Sequence, residues 1–357
     1  MILADLDREL AVAVAALVAD GALPSAATRI SPGHTWRPEP DADPASFATS
    51  LGFELAVLAS RHPADIAARL ATLLASLPWV AAADVTGRGY LTVKVTARAL
   101  GETAGQLAAA GPAAARSTIL AGTTASVRPL PDLATARTWR RAWQGHAAAV
   151  TGRLATAAGA APIAAMNGER GSFLADAART WQPTVASAVA WYGLHSVRYS
   201  LARTTPGRVA QLERSLAPGA AHHDPLYPVQ QAHASAAATL RWATELDLRT
   251  TEPGEESGDL LCAPCERALL GLLSWLPVRV ASAARRNRPD EIPGYLEAVS
   301  AAWLAVRQEA PALPFGGRAA PTDTTTAGAR LMLADAVRAV IAAGLAIVGA
   351  PVCGGDD

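Results

Sequence analysis

The sequence predicts a predominantly helical protein that begins with a small α+β module. Three observations predict it. The chain is 51% apolar but only 17% charged, and alanine, the strongest helix former, fills the difference. From Asp224 onward apolar residues recur at helical spacing almost to the C-terminus. Strand-like alternation is confined to Ala83–Val95. A length of 357 residues suits two or three domains.

Each element follows from local pattern. Ala4–Asp20 places Leu6, Leu10, Val14 and Leu17 on one helical face. A Pro-rich loop from Leu23 to Pro44 follows. Ser46–Ser60 and Pro63–Ser76 are predicted helices, with Pro63 suited to a first turn. Asp84–Thr86 and Tyr90–Val95 form a strand pair around Gly87-Arg88-Gly89, whose glycines permit positive φ. Residues 111–135 mix Gly, Thr, Ser and Pro and are expected to be irregular. Trp139–Gly159 and Trp181–Arg203 are helical, and Gly207–Ala220 is short and rich in breakers. Helices near 225–246, 260–285, 289–309 and 326–349 make an all-α bundle. The expected domains are 1–105, 106–190 and 191–353.

Charge is unevenly spread although the net is zero. Residues 1–100 hold 8 basic and 10 acidic side chains, 101–220 hold 12 and 5, and 221–357 hold 11 and 16. Only the middle segment has the basic surplus of a nucleic-acid binder. Lys94 is the sole lysine; arginine suits phosphate forks, and a GC-rich genome also writes Arg for Lys. Cys262-Ala-Pro-Cys265 has metal or redox spacing, but with Cys353 the only other thiol no second pair completes a zinc site. The pair opens a helical run and reads as incidental. No cofactor or metal is expected. No apolar run reaches the roughly 18–20 residues of a membrane span, Ala336–Pro351 coming nearest. Asp5, Asp7, Arg8 and Glu9 are wrong for a signal peptide. A cytoplasmic protein that uses neither membrane nor DNA is expected.

The order of elements at the N-terminus resembles the additional domain of arginyl-tRNA synthetases. It is carried by Ala45-Ser46-Phe47-Ala48-Thr49-Ser50, His62-Pro63-Ala64-Asp65-Ile66 and Gly87-Arg88-Gly89-Tyr90. The C-terminal half resembles that family's DALR-type anticodon-binding domain. Its entry reads Gly193-Leu194-His195-Ser196-Val197-Arg198-Tyr199 here. Asp224-Pro225-Leu226-Tyr227-Pro228-Val229-Gln230-Gln231-Ala232-His233-Ala234-Ser235 follows, with Ser235 where the family has arginine. Arg330-Leu331-Met332-Leu333, Ala336–Val340 and Gly344–Gly349 match the last helix. The bundle is thus expected to be of DALR type.

A class I synthetase holds ATP between two signature loops on a dinucleotide-type fold, and electrostatic stabilisation by such donors is usually its largest catalytic term. Residues 106–190 are too few for a complete Rossmann catalytic domain. Trp143-Gln144-Gly145-His146-Ala147 resembles a decayed first signature, with Gly145 and His146 retained. Met166-Asn167-Gly168-Glu169-Arg170 is a poor candidate for the second. Chance explains both equally well. No catalytic residue is expected.

The resemblance implies tRNA contacts at Phe47, Arg88, Tyr90, Tyr227, Gln230, His233, Arg285, Arg286, Arg288 and Arg330. Each has a plainer reading. Tyr227 either stacks on a base or lies in a core. His233 faces the anticodon stem-loop or packs within the bundle. Arg285-Arg286-Asn287-Arg288 clamps phosphate or answers a helix dipole. Gly87–Tyr90 approaches the outer corner of tRNA or is a bare turn. Val306-Arg307 replaces an aromatic cluster of the family near Trp303.

Three functions are compatible. The first is a non-catalytic tRNA-binding accessory paralogue, similar to ArgS-related anticodon-binding proteins of the NrtL type and expected to prefer tRNA-Arg. The second is a protein-interaction or structural subunit that has left tRNA behind. The least favoured is an active arginine–tRNA ligase.

Overall fold

The computed structural model describes residues 2–30, 36–37, 43–164, 184–217, 224–250, 257–313 and 324–352. Their contacts divide into two units. The first takes Met1–Ala114, Ala234–Val278 and Ala301–Val340; the second takes Ala115–His233, Arg279–Ser300 and Ile341–Asp357. Fourteen helices and two small sheets occur among the described residues.

In the first unit, α1 (Ile2–Ala19) buries Leu3, Leu6, Leu10 and Leu17. Strands β1 (Trp36–Arg37), β2 (Ser46–Thr49), β3 (Val80–Thr86) and β4 (Tyr90–Val95) form an antiparallel sheet of order β1-β2-β4-β3. Ser46–Thr49 is therefore strand rather than helix, and α2 spans only Leu51–Ala59. The physical reason is pairing: Phe47 lies opposite Val93 in β4 and is wholly buried. Thr49 turns the chain by accepting the Leu51 amide at 3.2 Å.

Helix α3 (Pro63–Leu74) starts at Pro63, with His62 Nδ1 accepting the Ala64 amide. Its Ile66, Leu70 and Leu74 are buried, each side chain contributing roughly 1.5–3 kcal/mol. The β3–β4 turn needs glycine. Gly89 has φ +135°, and a Cβ there would stand 2.6 Å from Pro63 Cβ.

Helix α4 (Ala97–Ala110), capped by Thr96 Oγ1, packs on two later elements of the unit, α10 (Ser257–Leu260) and α11 (Pro264–Ser274). Gly101 and Gly258 permit this: a Cβ on Gly258 would meet Arg98 carbonyl oxygen at 2.4 Å and its Cα at 2.5 Å. Asp43 accepts from Lys94 at 2.7 Å and Arg267 at 3.3 Å, and Phe47 packs against Trp275 with ring centroids 5.7 Å apart.

The second unit contains a feature that composition hid. Strand β5 (Thr124–Val127) lies within the stretch expected to be irregular, and it pairs in parallel with β6 (Ala161–Ala164). Helix α5 (Trp139–Ala157) connects them, completing a single βαβ unit. Gly152 lets the helix lie on its strand, since a Cβ would come 2.6 Å from the Ser126 carbonyl. Gly159, at φ +99°, ends the helix in a conformation that favours glycine. Helices α6 (Val185–Tyr192), α7 (Leu194–Arg203) and α8 (Val209–Ser215) follow. Trp139, Ala142, Val185, Ala188, Val197, Leu201, Leu212 and Leu216 make their common core.

Helix α9 (Tyr227–Glu245), α12 (Leu276–Arg285), α13 (Glu291–Glu309) and α14 (Thr324–Val348) complete the chain. Helices α9, α13 and α14 agree with the helical runs read from sequence, whereas the run expected at 260–285 is broken at Trp275 into α11 and α12; the predominantly α class is as expected. Helix α14 is long and apolar enough to cross a membrane, yet 78% of its apolar window is buried within the structure.

Candidate nucleic-acid interface

Helix α9 begins where Asp224 accepts the Leu226 amide at 3.0 Å, just ahead of Pro228. Its first turns bury Leu226, Val229 and Ala232, which turns the other flank outward. Tyr227 is 63% exposed, and Gln230 and His233 are half-buried. The structure thus brings these three together on the second unit. The segment before it is tied down: the wholly buried Tyr199 donates to the Pro293 carbonyl at 3.1 Å. Arg203 makes a two-pronged pair with Glu297 at 2.7 and 3.2 Å.

Arg285, Arg286 and Arg288 lie exposed at the end of α12, in the same unit. Asn287 adopts φ +52° there, a left-handed helix stop. The Asn287 side chain also accepts from Thr151 of α5 at 3.0 Å. Arg288 grips Asp290 through two bonds at 2.8 and 2.7 Å, and Arg286 lies 3.7 Å from Glu291. Two of the three cations are therefore partly neutralised by the following helix start.

Two candidates turn inward. Arg330 donates to Glu266 at 2.6 Å and to the Pro311 carbonyl at 3.1 Å. Its side chain is 18% exposed and that of Glu266 is fully enclosed; Glu266 also accepts the Ala263 amide that opens α11. Phe47 is core. Neither offers a surface to RNA, because pairing and apolar burial consume them. On the same unit Arg88 stands exposed at the β3–β4 tip, and Tyr90 packs edge-on to Phe53 at 5.0 Å.

Residues 229–353 match the sequence model of the DALR anticodon binding domain. This stretch of the chain is similar to that domain. Arginine–tRNA ligases are its relatives. That of Micrococcus luteus is 32% identical over 164 residues, 45% of this chain and 29% of the ligase. That of Pseudarthrobacter chlorophenolicus is 32% identical over 161 residues, 44% of this chain and 28% of the ligase. The arginyl-tRNA synthetase structure from Thermus thermophilus aligns with 24% identity and TM-score 0.33, over 48% of this chain and 28% of that one. The chain spans less than a third of the length of these ligases.

Within the matched residues, on the first unit, a shallow groove lies between Thr239, Trp242, Trp303, Val306, Arg307 and Arg330. Trp242 is 53% exposed, and sequence reasoning missed it. Its signal was a tryptophan on the polar side of α9. Ser235 receives the Trp303 indole N–H at 2.8 Å. Burial holds Arg307 below the usual guanidinium range.

Of the two suspected signature residues, Gly145 is half-buried and His146 is enclosed. His146 is fully buried in α5 and Gly145 faces Pro131. Burial first, then the Arg198 and Arg153 charges, push the imidazole down to about 4, so it is neutral at pH 7. Backbone hydrogen bonds with Val348 and Arg198 oppose that shift without reversing it. Arg153 and Arg198 donate to Ala346 and Gly349 carbonyls at 2.9 and 3.4 Å, beside the last turn of α14. The Met166–Arg170 candidate lies outside the described residues, as does Cys353. Cys262 is exposed at the entrance to α11; burial and the Glu309 and Glu266 carboxylates push the Cys265 thiol up, which disfavours a reactive thiolate.

Proposed function

We propose that this chain is a cytoplasmic accessory protein that binds tRNA, preferring tRNA-Arg, and does not charge it. The DALR match over residues 229–353 carries the reading. Tyr227, Gln230 and His233 supply an aromatic face and polar edges suited to an unstacked anticodon base. The hairpin tip at Arg88 and Tyr90 is assigned to the outer part of the same tRNA, with segments 1–105, 106–190 and 191–353 as three inherited pieces. Residues 106–190 support the non-charging part of this reading. Their described part builds one βαβ unit in which His146 is buried and neutral, so that this histidine does not face a triphosphate.

Filter binding with tRNA-Arg and an unrelated tRNA tests this. Tighter binding of tRNA-Arg, weakening steeply with salt, is expected. Tyr227→Ala is expected to lose about 5- to 150-fold, the equivalent of a base stack of roughly 1–3 kcal/mol. Equal binding of all tRNAs removes the anticodon assignment, and arginine-dependent ATP–pyrophosphate exchange removes the non-catalytic one.

A further inference from the structure

We propose that the second unit carries an RNA-backbone-binding face outside the DALR domain, on the first turn of α5 and the segment leading into α8. This rests on the tRNA reading and adds where the polyanion lies. The described residues of the second unit hold fourteen arginines against six carboxylates. Those of the first hold fourteen basic side chains against fifteen acidic ones. Attraction for a phosphate chain is therefore concentrated on one unit.

Within that unit the arginines gather. Arg140, Arg141 and Gln144 are exposed along one flank of α5, and exposed Arg137 immediately precedes the Thr138 cap. The other flank, through Trp139, Ala142 and Trp143, is packed against Leu212 and Leu216. Trp143 donates its indole N–H to the Thr204 carbonyl at 2.7 Å. That bond holds the chain carrying exposed Arg208 and Arg214 beside the helix. Among the described residues, none of Arg137, Arg140, Arg208 and Arg214 meets a carboxylate.

The placement favours an anion. The first turn of α5 contains no acidic residue, so cations crowd the end of a helix whose dipole is already positive. Guanidinium forks fit the paired oxygens of phosphodiesters. Tyr227, the exposed aromatic of the DALR side, belongs to the same unit, which favours RNA over an acidic protein as the occupant.

The test compares the full chain with R137A/R140A/R208A and R137K/R140K/R208K, by filter binding of tRNA across a salt series. Unfolding midpoints are measured in parallel. The alanine variant is expected to bind at least about tenfold more weakly at 0.1 M salt. Its slope of log K against log salt should be shallower by about two to three, at roughly 0.7–0.9 per lost contact. The lysine variant should keep most of that slope, and both should unfold like the unmodified chain. Unchanged affinity and slope in the alanine variant overturn this face while leaving tRNA binding intact. No tRNA binding by the unmodified chain overturns both. Retained tRNA binding with loss of polyglutamate binding assigns the face to an acidic protein and overturns the proposal. Equal losses in both variants with lowered midpoints reduce the arginines to a structural role.

Discussion

Asp7 and His146 pull the acid stability of the chain in opposite directions. Burial pushes the Asp7 carboxyl up to about 6, against the hydrogen bond it accepts from the Trp36 indole. A raised folded pKa favours the native state fully below about 3.8, the unfolded value, and that benefit is lost as pH rises through 6. His146 runs the other way. Its folded value is about 4 against 6.5 unfolded, so between those limits the unfolded chain binds more protons and stability climbs with pH. Each effect is worth about 3 kcal/mol at most. Asp7→Asn keeps an acceptor for Trp36 and removes the first effect. Its urea midpoint is expected to exceed that of the unmodified chain at pH 7.5, with the gap closing at pH 4. A gap independent of pH would mean that Asp7 does not titrate in this range.

Among the elements, the α4–α10 crossing leaves least room. A Cβ at Gly258 would press on Arg98 backbone, which cannot rotate away as a side chain tip would. Gly258→Ala is expected to cost about 1–3 kcal/mol, read as a lower urea midpoint, whereas Gly207→Ala, with nothing within 4 Å, should change little. These elements also show where sequence reading works. Helices α9, α13 and α14 announce themselves by periodicity over many turns, and the β3–β4 hairpin by its glycines and alternation. Strands β2 and β5 do not. Four residues are too few to display a period, and Ser46–Thr49 runs straight into a helix. The site divides likewise. Tyr227 sits exposed at a helix start that the sequence marks with Asp-Pro. The inward turn of Arg330 depends on Glu266, a carboxylate 64 positions away, which no local pattern reveals.

At the scale of the molecule, each unit is stitched from three separate stretches of chain. The DALR match at 229–353 draws on both. A fragment limited to those residues keeps Trp275 without Phe47 and α11 without α4. It is expected to show helical far-UV circular dichroism but weak near-UV signal and no sharp thermal transition. A cooperative transition would show that these residues fold alone. The same stitching governs birth on the ribosome. Ala301–Val340 and Ile341 onward are needed to close the first and second units respectively, so neither can finish while the last helix is still in the exit tunnel. At about 5–20 residues per second, the first strands wait many seconds with an apolar face open, a window in which a chaperone has something to hold.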